Sequence, residues 1–350
     1  MYINGVNQER KIYKIHEYDE YWKKEAPRIQ QEFNNDSYDK GCHKCFDTNN
    51  HITSGLRQSA TEAYLLNHNN FYQTKSPEWL HIKFGNYCNL RCIMCHPDLS
   101  SQIHSERLAN TEKFQNIGIG LPQFSSLAWW DDPQLLNLVF GLVQNATYVS
   151  FSGGEPLLAK QLYEILNHTN KNCIVNINTN LTKLTDQHLL ILNRFKYVTF
   201  LVSLDGIDKH HEYIRFGSTW SVIENNIHKL LNHKNITVIF TYLLQHTSIY
   251  TFPKFYNFIK QFNCELTIST VDDRSVGGNH MMTIDSVPPE DVTKFKNWFS
   301  NNPTEYQSII SQWLDMYSFN IEAHNKFKNY ILLLDQLRDC DFRATFNPSW

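Results

Sequence analysis

From residue 79 to about residue 270 the chain alternates short runs rich in β-branched and aromatic residues with amphipathic stretches of helical period. No other feature constrains its fold as strongly. The runs 80–84, 148–152, 173–178, 197–203, 236–244 and 265–269 predict strands, and the intervals 160–167, 185–193, 222–231 and 253–262 predict helices. Strands separated by helices pair in parallel through right-handed crossovers rather than as hairpins. Six such units are too few to close an eight-fold barrel. The expected fold is therefore α/β, a partial (β/α)6 TIM-like barrel, and in such folds the chemistry sits at the C-terminal strand ends.

Several polar motifs fall at those ends. After the first run and Gly85-Asn86 comes Cys88-Asn89-Leu90-Arg91-Cys92-Ile93-Met94-Cys95. Three thiols on one short segment are soft ligands suited to zinc, copper(I) or an iron–sulfur cluster. Their spacing also matches one face of a buried helix, where cysteine packs as a small hydrophobe. The second strand run leads into Gly153-Gly154-Glu155-Pro156. A glycine pair permits close backbone approach, and a carboxylate accepts from a cationic amine or sits at a helix start. The third run ends in Asn176-Ile177-Asn178-Thr179-Asn180, and the fourth in Ser203-Leu204-Asp205-Gly206, with Arg215 beyond it. A hydroxyl there can bond a ribose or carboxylate, and a guanidinium can clamp a carboxylate; ordinary turn chemistry and an ion pair are the alternatives.

In this order the motifs resemble those of the radical S-adenosylmethionine (SAM) superfamily. The resemblance implies that Cys88, Cys92 and Cys95 hold a [4Fe–4S] cluster whose fourth iron is chelated by SAM. It further implies that Gly153, Gly154 and Glu155 receive the SAM ammonium, and that Arg215 and Ser203 take its carboxylate or ribose. Asn178 and Asn180 would lie near the same groups, and the backbone at Met94 would meet the adenine. A one-electron donor and a 5′-deoxyadenosyl radical that abstracts hydrogen from a substrate belong to the same expectation.

Residues 1–78 are polar and contain Gly41-Cys42-His43-Lys44-Cys45, a pair suited to one metal ion or to redox chemistry. Followed by Ser54-Gly55-Leu56-Arg57, and with Leu334 to Arg338 near the other end, this resembles radical SAM proteins with an N-terminal twitch domain, of the SPASM/twitch branch. The expected organisation is a twitch-like segment (1–78), the partial barrel (79–285) and a C-terminal helical appendage (286–350). A complete auxiliary iron–sulfur cluster at Cys42 and Cys45 would need further ligands, from His43, Cys173, Cys264, Cys340 or outside the chain; the alternative is a degenerate segment that holds zinc or nothing. Cys173 and Cys264 read as core residues, and His43, His96, His210 and His211 are left unassigned, with solvated or structural roles expected. Leu332, Leu333, Leu334 and Leu337 are expected against the barrel flank, and Trp129-Trp130 is expected to plug the barrel.

Composition sets the remaining bounds. Hydrophobic residues make up 41% and charged residues 19%, as in a globular protein, and a net charge of −3 gives no nucleic-acid signature. No apolar run reaches eighteen residues, so no membrane span is expected, and residues 1–5 lack the charged and apolar regions of a secretory signal, so none is expected there. Eight cysteines, five of them in two short motifs, fit ligands in a reducing compartment better than disulfides, so the expected location is cytoplasmic. The branch resemblance favours a peptide or protein substrate over a nucleoside or small metabolite. The competing class is a catalytically inert iron–sulfur or zinc module that regulates a partner.

Overall fold

The six strands are β1 (Trp79–Lys83), β2 (Tyr148–Ser152), β3 (Ile174–Thr179), β4 (Tyr197–Ser203), β5 (Ile236–Leu244) and β6 (Glu265–Thr270). They form one parallel sheet in chain order that does not close on itself. This is the partial barrel that the βα alternation predicts. The computed structural model describes residues 77–120, 128–271 and 281–350, with short pieces at 2–3, 11–12, 23–24, 27–28 and 31. Cys42, His43 and Cys45 lie outside the described residues.

Each strand alternates, and one face is apolar. Val149 and Phe151 of β2, Ile177 of β3, Phe200 and Val202 of β4 and Phe240 of β5 have no exposed surface and pack against the helices. The opposite, concave face carries Ser152, Asn178, Ser203, Thr241 and Thr267. Continuous parallel strands bury both faces when helices cover both. Here the polar alternation leaves one face for a ligand.

The helices between the strands are α1 (Ser101–Ala109), α2 (Thr111–Asn116), α3 (Pro133–Asn145), α4 (Gln161–His168), α5 (Asp186–Leu192), α6 (Asp208–Ile214), α7 (Trp220–Leu231) and α8 (Ser248–Ile259). Helix α3 is not among the expected helices, although its signal is present. Asp132 caps it, accepting from Gln134 N at 2.8 Å, and Pro133 occupies the first turn, where it loses no bond. The helix expected at 253–262 begins five residues earlier and carries Pro253 inside it. Burial of Phe252, Phe255 and Tyr256 outweighs the break that proline signals.

Trp129 and Trp130 pack against Phe84 with ring centroids 6.1 and 5.9 Å away. Phe84 N donates to Ser152 O, so the carbonyl of Lys83 points the other way, to the open edge of β1. Trp129 Nε1 donates to that carbonyl at 2.7 Å. The pair thus covers a sheet edge as well as the core.

Helices α9 (Pro289–Asn301), α10 (Gln307–Asp315), α11 (Ile321–Arg338) and α12 (Phe342–Phe346) follow the barrel. Phe327, Ile331 and Leu334 of α11 form a second apolar core with Leu90, Ile93 and Met94. The leucines of α11 therefore pack against the cysteine segment rather than the barrel flank. Leu333 and Leu334 are buried there, whereas Leu332 is 52% exposed. Cys173 lies in the main core and Cys264 against it, as core cysteines do.

Candidate active site

The polar motifs meet at the C-terminal ends of β1 to β4. Gly154 sits at φ 54°, and a Cβ there would lie 2.2 Å from Tyr87 O. The close approach that the glycine pair allows is made by the backbone just before Cys88. Glu155 N donates to the same Tyr87 carbonyl at 2.8 Å, which fastens the start of the cysteine segment to the end of β2.

Glu155 is 1% exposed and ties β2 to β3. Its Oε1 accepts from Thr179 Oγ1 at 2.7 Å and Leu157 N at 3.1 Å, and its Oε2 accepts from Asn180 N at 2.7 Å. Burial pushes the carboxyl up to about 7, against the pull of these donors and of Arg215. The Asn180 side chain then reaches the cysteine segment, donating from Nδ2 to Asn89 Oδ1 at 3.2 Å and to Cys88 Sγ at 3.8 Å. One asparagine thereby links the buried carboxylate to the first thiol.

Ser203 Oγ donates to Asn178 Oδ1 at 3.2 Å and accepts from Thr241 Oγ1 at 3.3 Å, a short row across three strands of the concave face. Arg215 places Nε and Nη2 at 2.8 and 2.7 Å from Asp205 Oδ2, while Asp205 Oδ1 accepts from Leu243 N at 3.1 Å. Asp205 thus positions Arg215 beside the thiols. Its acid side chain was legible in the sequence only as turn chemistry.

Cys92 is buried and Cys88 and Cys95 are half-buried, all as free thiols. Burial, then the charge of Cys92, pushes Cys88 up to about 12. Burial and the other two thiols raise Cys95 further, and burial raises Cys92, while Arg215 favours the thiolate at all three. Leu90 N also donates to Cys88 Sγ at 3.5 Å. Met94 is buried in the second core, in the turn where Cys95 N bonds Cys92 O.

Helix α11 supports this segment from behind. Tyr330 Oη donates to Ile93 O at 2.9 Å, and Arg338 clamps Glu106 of α1 through Nε at 3.0 Å and Nη2 at 2.7 Å. Glu106 and Arg338 are 232 residues apart, so no local pattern pairs them. The histidines have structural roles. His96 Nδ1 accepts from Asp98 N, and His210 Nε2 meets Thr345 O at 3.0 Å. His211 is fully buried and is pushed down to about 3 by that burial.

Residues 82–259, just over half of the chain, match the family described as the Radical SAM superfamily. The chain belongs to that superfamily. Radical SAM membership implies a [4Fe–4S] cluster and SAM. The residues present fit such a cluster. Three soft donors lie close enough to raise one another's pKa, two N–H groups point at a sulfur, and a guanidinium stands beside them. Among the described residues no three His, Cys, Asp or Glu side chains gather on a single ion. Ligands to separate irons of a cluster have no need to.

No curated protein matches the chain. Among solved structures it is similar to anSMEcpe with bound AdoMet, at 21% identity over 67% of this chain and 62% of that one, with a TM-score of 0.45. Streptococcus suis SuiB bound to the precursor peptide SuiA is 16% identical over 91% of this chain and 67% of that one, with a TM-score of 0.41. Coproporphyrinogen III oxidase (HemN) from Escherichia coli is 11% identical over 74% and 52%, with a TM-score of 0.35. The chain thus spans about three fifths of the length of anSMEcpe.

Proposed function

We propose that this radical SAM chain is an enzyme that cleaves SAM reductively and modifies a peptide or protein. The observation that carries this reading is the single connected set Glu155–Asn180–Cys88, with Arg215 beside it. Cys88, Cys92 and Cys95 would hold the cluster. Glu155 would accept from the SAM ammonium, Arg215 and Ser203 from their side of the site would meet its carboxylate or ribose, and Asn178 and Asn180 would flank them. Gly153 and Gly154 would keep the strand end low enough for this, and the Met94 backbone would border the adenine. When bound there, a cluster and SAM would supply the chemistry of a 5′-deoxyadenosyl radical for hydrogen abstraction.

The chain's own residues orient and shield that chemistry. Burial leaves Glu155 near neutrality, so an arriving ammonium would restore its charge, and a bond to it would carry specificity. The serine, threonine and asparagine side chains of the concave face suit the amides of an extended polypeptide better than an apolar ligand. Residues 1–78 as a twitch-like segment, 79–285 as the catalytic barrel and 286–350 as its support complete the proposal. An auxiliary cluster or zinc at Cys42 and Cys45 belongs to the first of these.

The test is anaerobic purification, reconstitution with iron and sulfide, reduction, addition of SAM and quantification of 5′-deoxyadenosine by mass spectrometry. We expect product from the wild type and none from Cys92→Ala. A reducible four-iron protein that yields no 5′-deoxyadenosine would point instead to a regulatory iron–sulfur module.

A further inference from the structure

Behind the cysteine segment lie three arginines whose charge is only partly offset by Glu106, the carboxylate bonded to two of them. Arg338 is 9% exposed and Arg107 3% exposed, and Arg91 lies inside the segment itself. The Phe216 ring is covered by Arg91 at 4.6 Å and by Arg338 at 5.1 Å. Glu106 serves two of the three, bonding Arg91 at 3.1 Å and clamping Arg338. Arg107 lies over the Phe114 ring at 5.8 Å and hydrogen-bonds the Tyr330 hydroxyl, while its buried Nη2 has no hydrogen-bond partner.

Two further carboxylates of this region are engaged elsewhere. Asp205 is paired with Arg215, and Asp335 accepts from Tyr213 Oη at 2.6 Å and Phe342 N at 3.0 Å. A buried guanidinium without a carboxylate costs folding free energy. A neighbouring anion offsets that cost. The cysteine segment is tied to the helices that carry these charges, to α1 where Ser100 Oγ donates to Leu90 O at 2.6 Å and Ser101 Oγ to Cys88 O at 3.1 Å, and to α11 where Tyr330 Oη donates to Ile93 O; the Arg338 charge acts on the Cys92 thiol.

Three thiolates outweigh the charge of a four-iron core, so the bound cluster would be anionic and would gain a further negative charge on reduction. Net charge around a cluster is one of the quantities that set its potential. We propose that Arg107, Arg338 and Arg91, partly offset by Glu106, are positioning residues that raise the reduction potential of the cluster held by Cys88, Cys92 and Cys95. This rests on the function proposed above.

The test is a redox titration of the reconstituted protein followed by electron paramagnetic resonance, with melting of the cluster-free variants as the folding control. Arg107→Met lowers the midpoint, Glu106→Gln raises it, and Arg107→Lys leaves it in place. A tenfold change in the reduced-to-oxidised ratio at fixed potential corresponds to about 59 mV for one electron. Arg91, with its side chain 33% exposed, gives a variant, Arg91→Met, that carries the downward arm if Arg107→Met does not fold. Midpoints that stay together, or that move in one direction for both signs of charge change, overturn the inference. A wild type with no four-iron signal would instead defeat the proposed function and leave its cause there.

Discussion

A methyl group on residue 154 has nowhere to go, because its carbon would sit 2.2 Å from Tyr87 O at a positive φ. Gly154→Ala is expected to destabilise the protein by at least the ~1–3 kcal/mol that a strained backbone costs. Urea denaturation of the cluster-free protein measures this, and iron content after reconstitution should fall with it because Tyr87 adjoins Cys88. Glu155 gives a pH dependence. Its folded-state pKa of about 7 lies above the ordinary 4.5, so the folded state holds the proton more tightly. The associated stability is whole below about pH 4.5 and is lost as pH rises through about 7, a difference of about 3 kcal/mol. His211, buried neutral, works in the opposite sense below its ordinary range. The measurement is therefore the difference between wild type and Glu155→Gln from pH 5 to pH 8, and a difference that does not change with pH would refute it. At this scale the sequence marked Glu155, Asn180, Ser203 and Arg215, but left Asp205 as turn chemistry and gave no sign of Tyr87 or Thr241. It offered Gly154 as room for a ligand, and the fold spends that room on the Tyr87 backbone.

Between elements, the decisive contacts join strand ends to the segments that follow them. Asp205 lies just past the end of β4, Arg215 follows α6, and their ion pair also holds β5 through Leu243 N. Asp205 is 1% exposed, so Arg215→Ala leaves a buried carboxylate unpaired and should cost about 3–5 kcal/mol. Adding Asp205→Asn to the same chain should recover part of that loss in chemical denaturation; no recovery would mean that the pair is not the cause. Element types were legible because period two and period 3.6 are local properties. The strands 148–152, 197–203 and 236–244 occur with the predicted bounds. Helix α8 was misplaced because a local rule about proline met a tertiary demand to bury Phe252 and Phe255.

For the whole molecule, the C-terminal helices are part of the site's support. Phe327, Ile331, Leu334 and Phe342 are at most 1% exposed, and each such side chain contributes roughly 1.5–3 kcal/mol by burial. Together these are comparable with the entire stability of a domain, about 5–15 kcal/mol. Deleting residues 321–350 should therefore release the cysteine segment, seen as fast hydrogen exchange across residues 88–95; protection as in the full chain would contradict this. The described residues contain no helix long and apolar enough to cross a membrane. By itself the sequence determined the βα alternation, the parallel partial barrel and the placement of the motifs at strand ends, since each follows from local period and chain order. Only the tertiary structure decided that Asn180 reaches Cys88, that Asp205 holds Arg215, and that Glu106 meets Arg338 across 232 residues. Those pairings depend on which segments fold against one another, and a one-dimensional pattern carries no record of that distance.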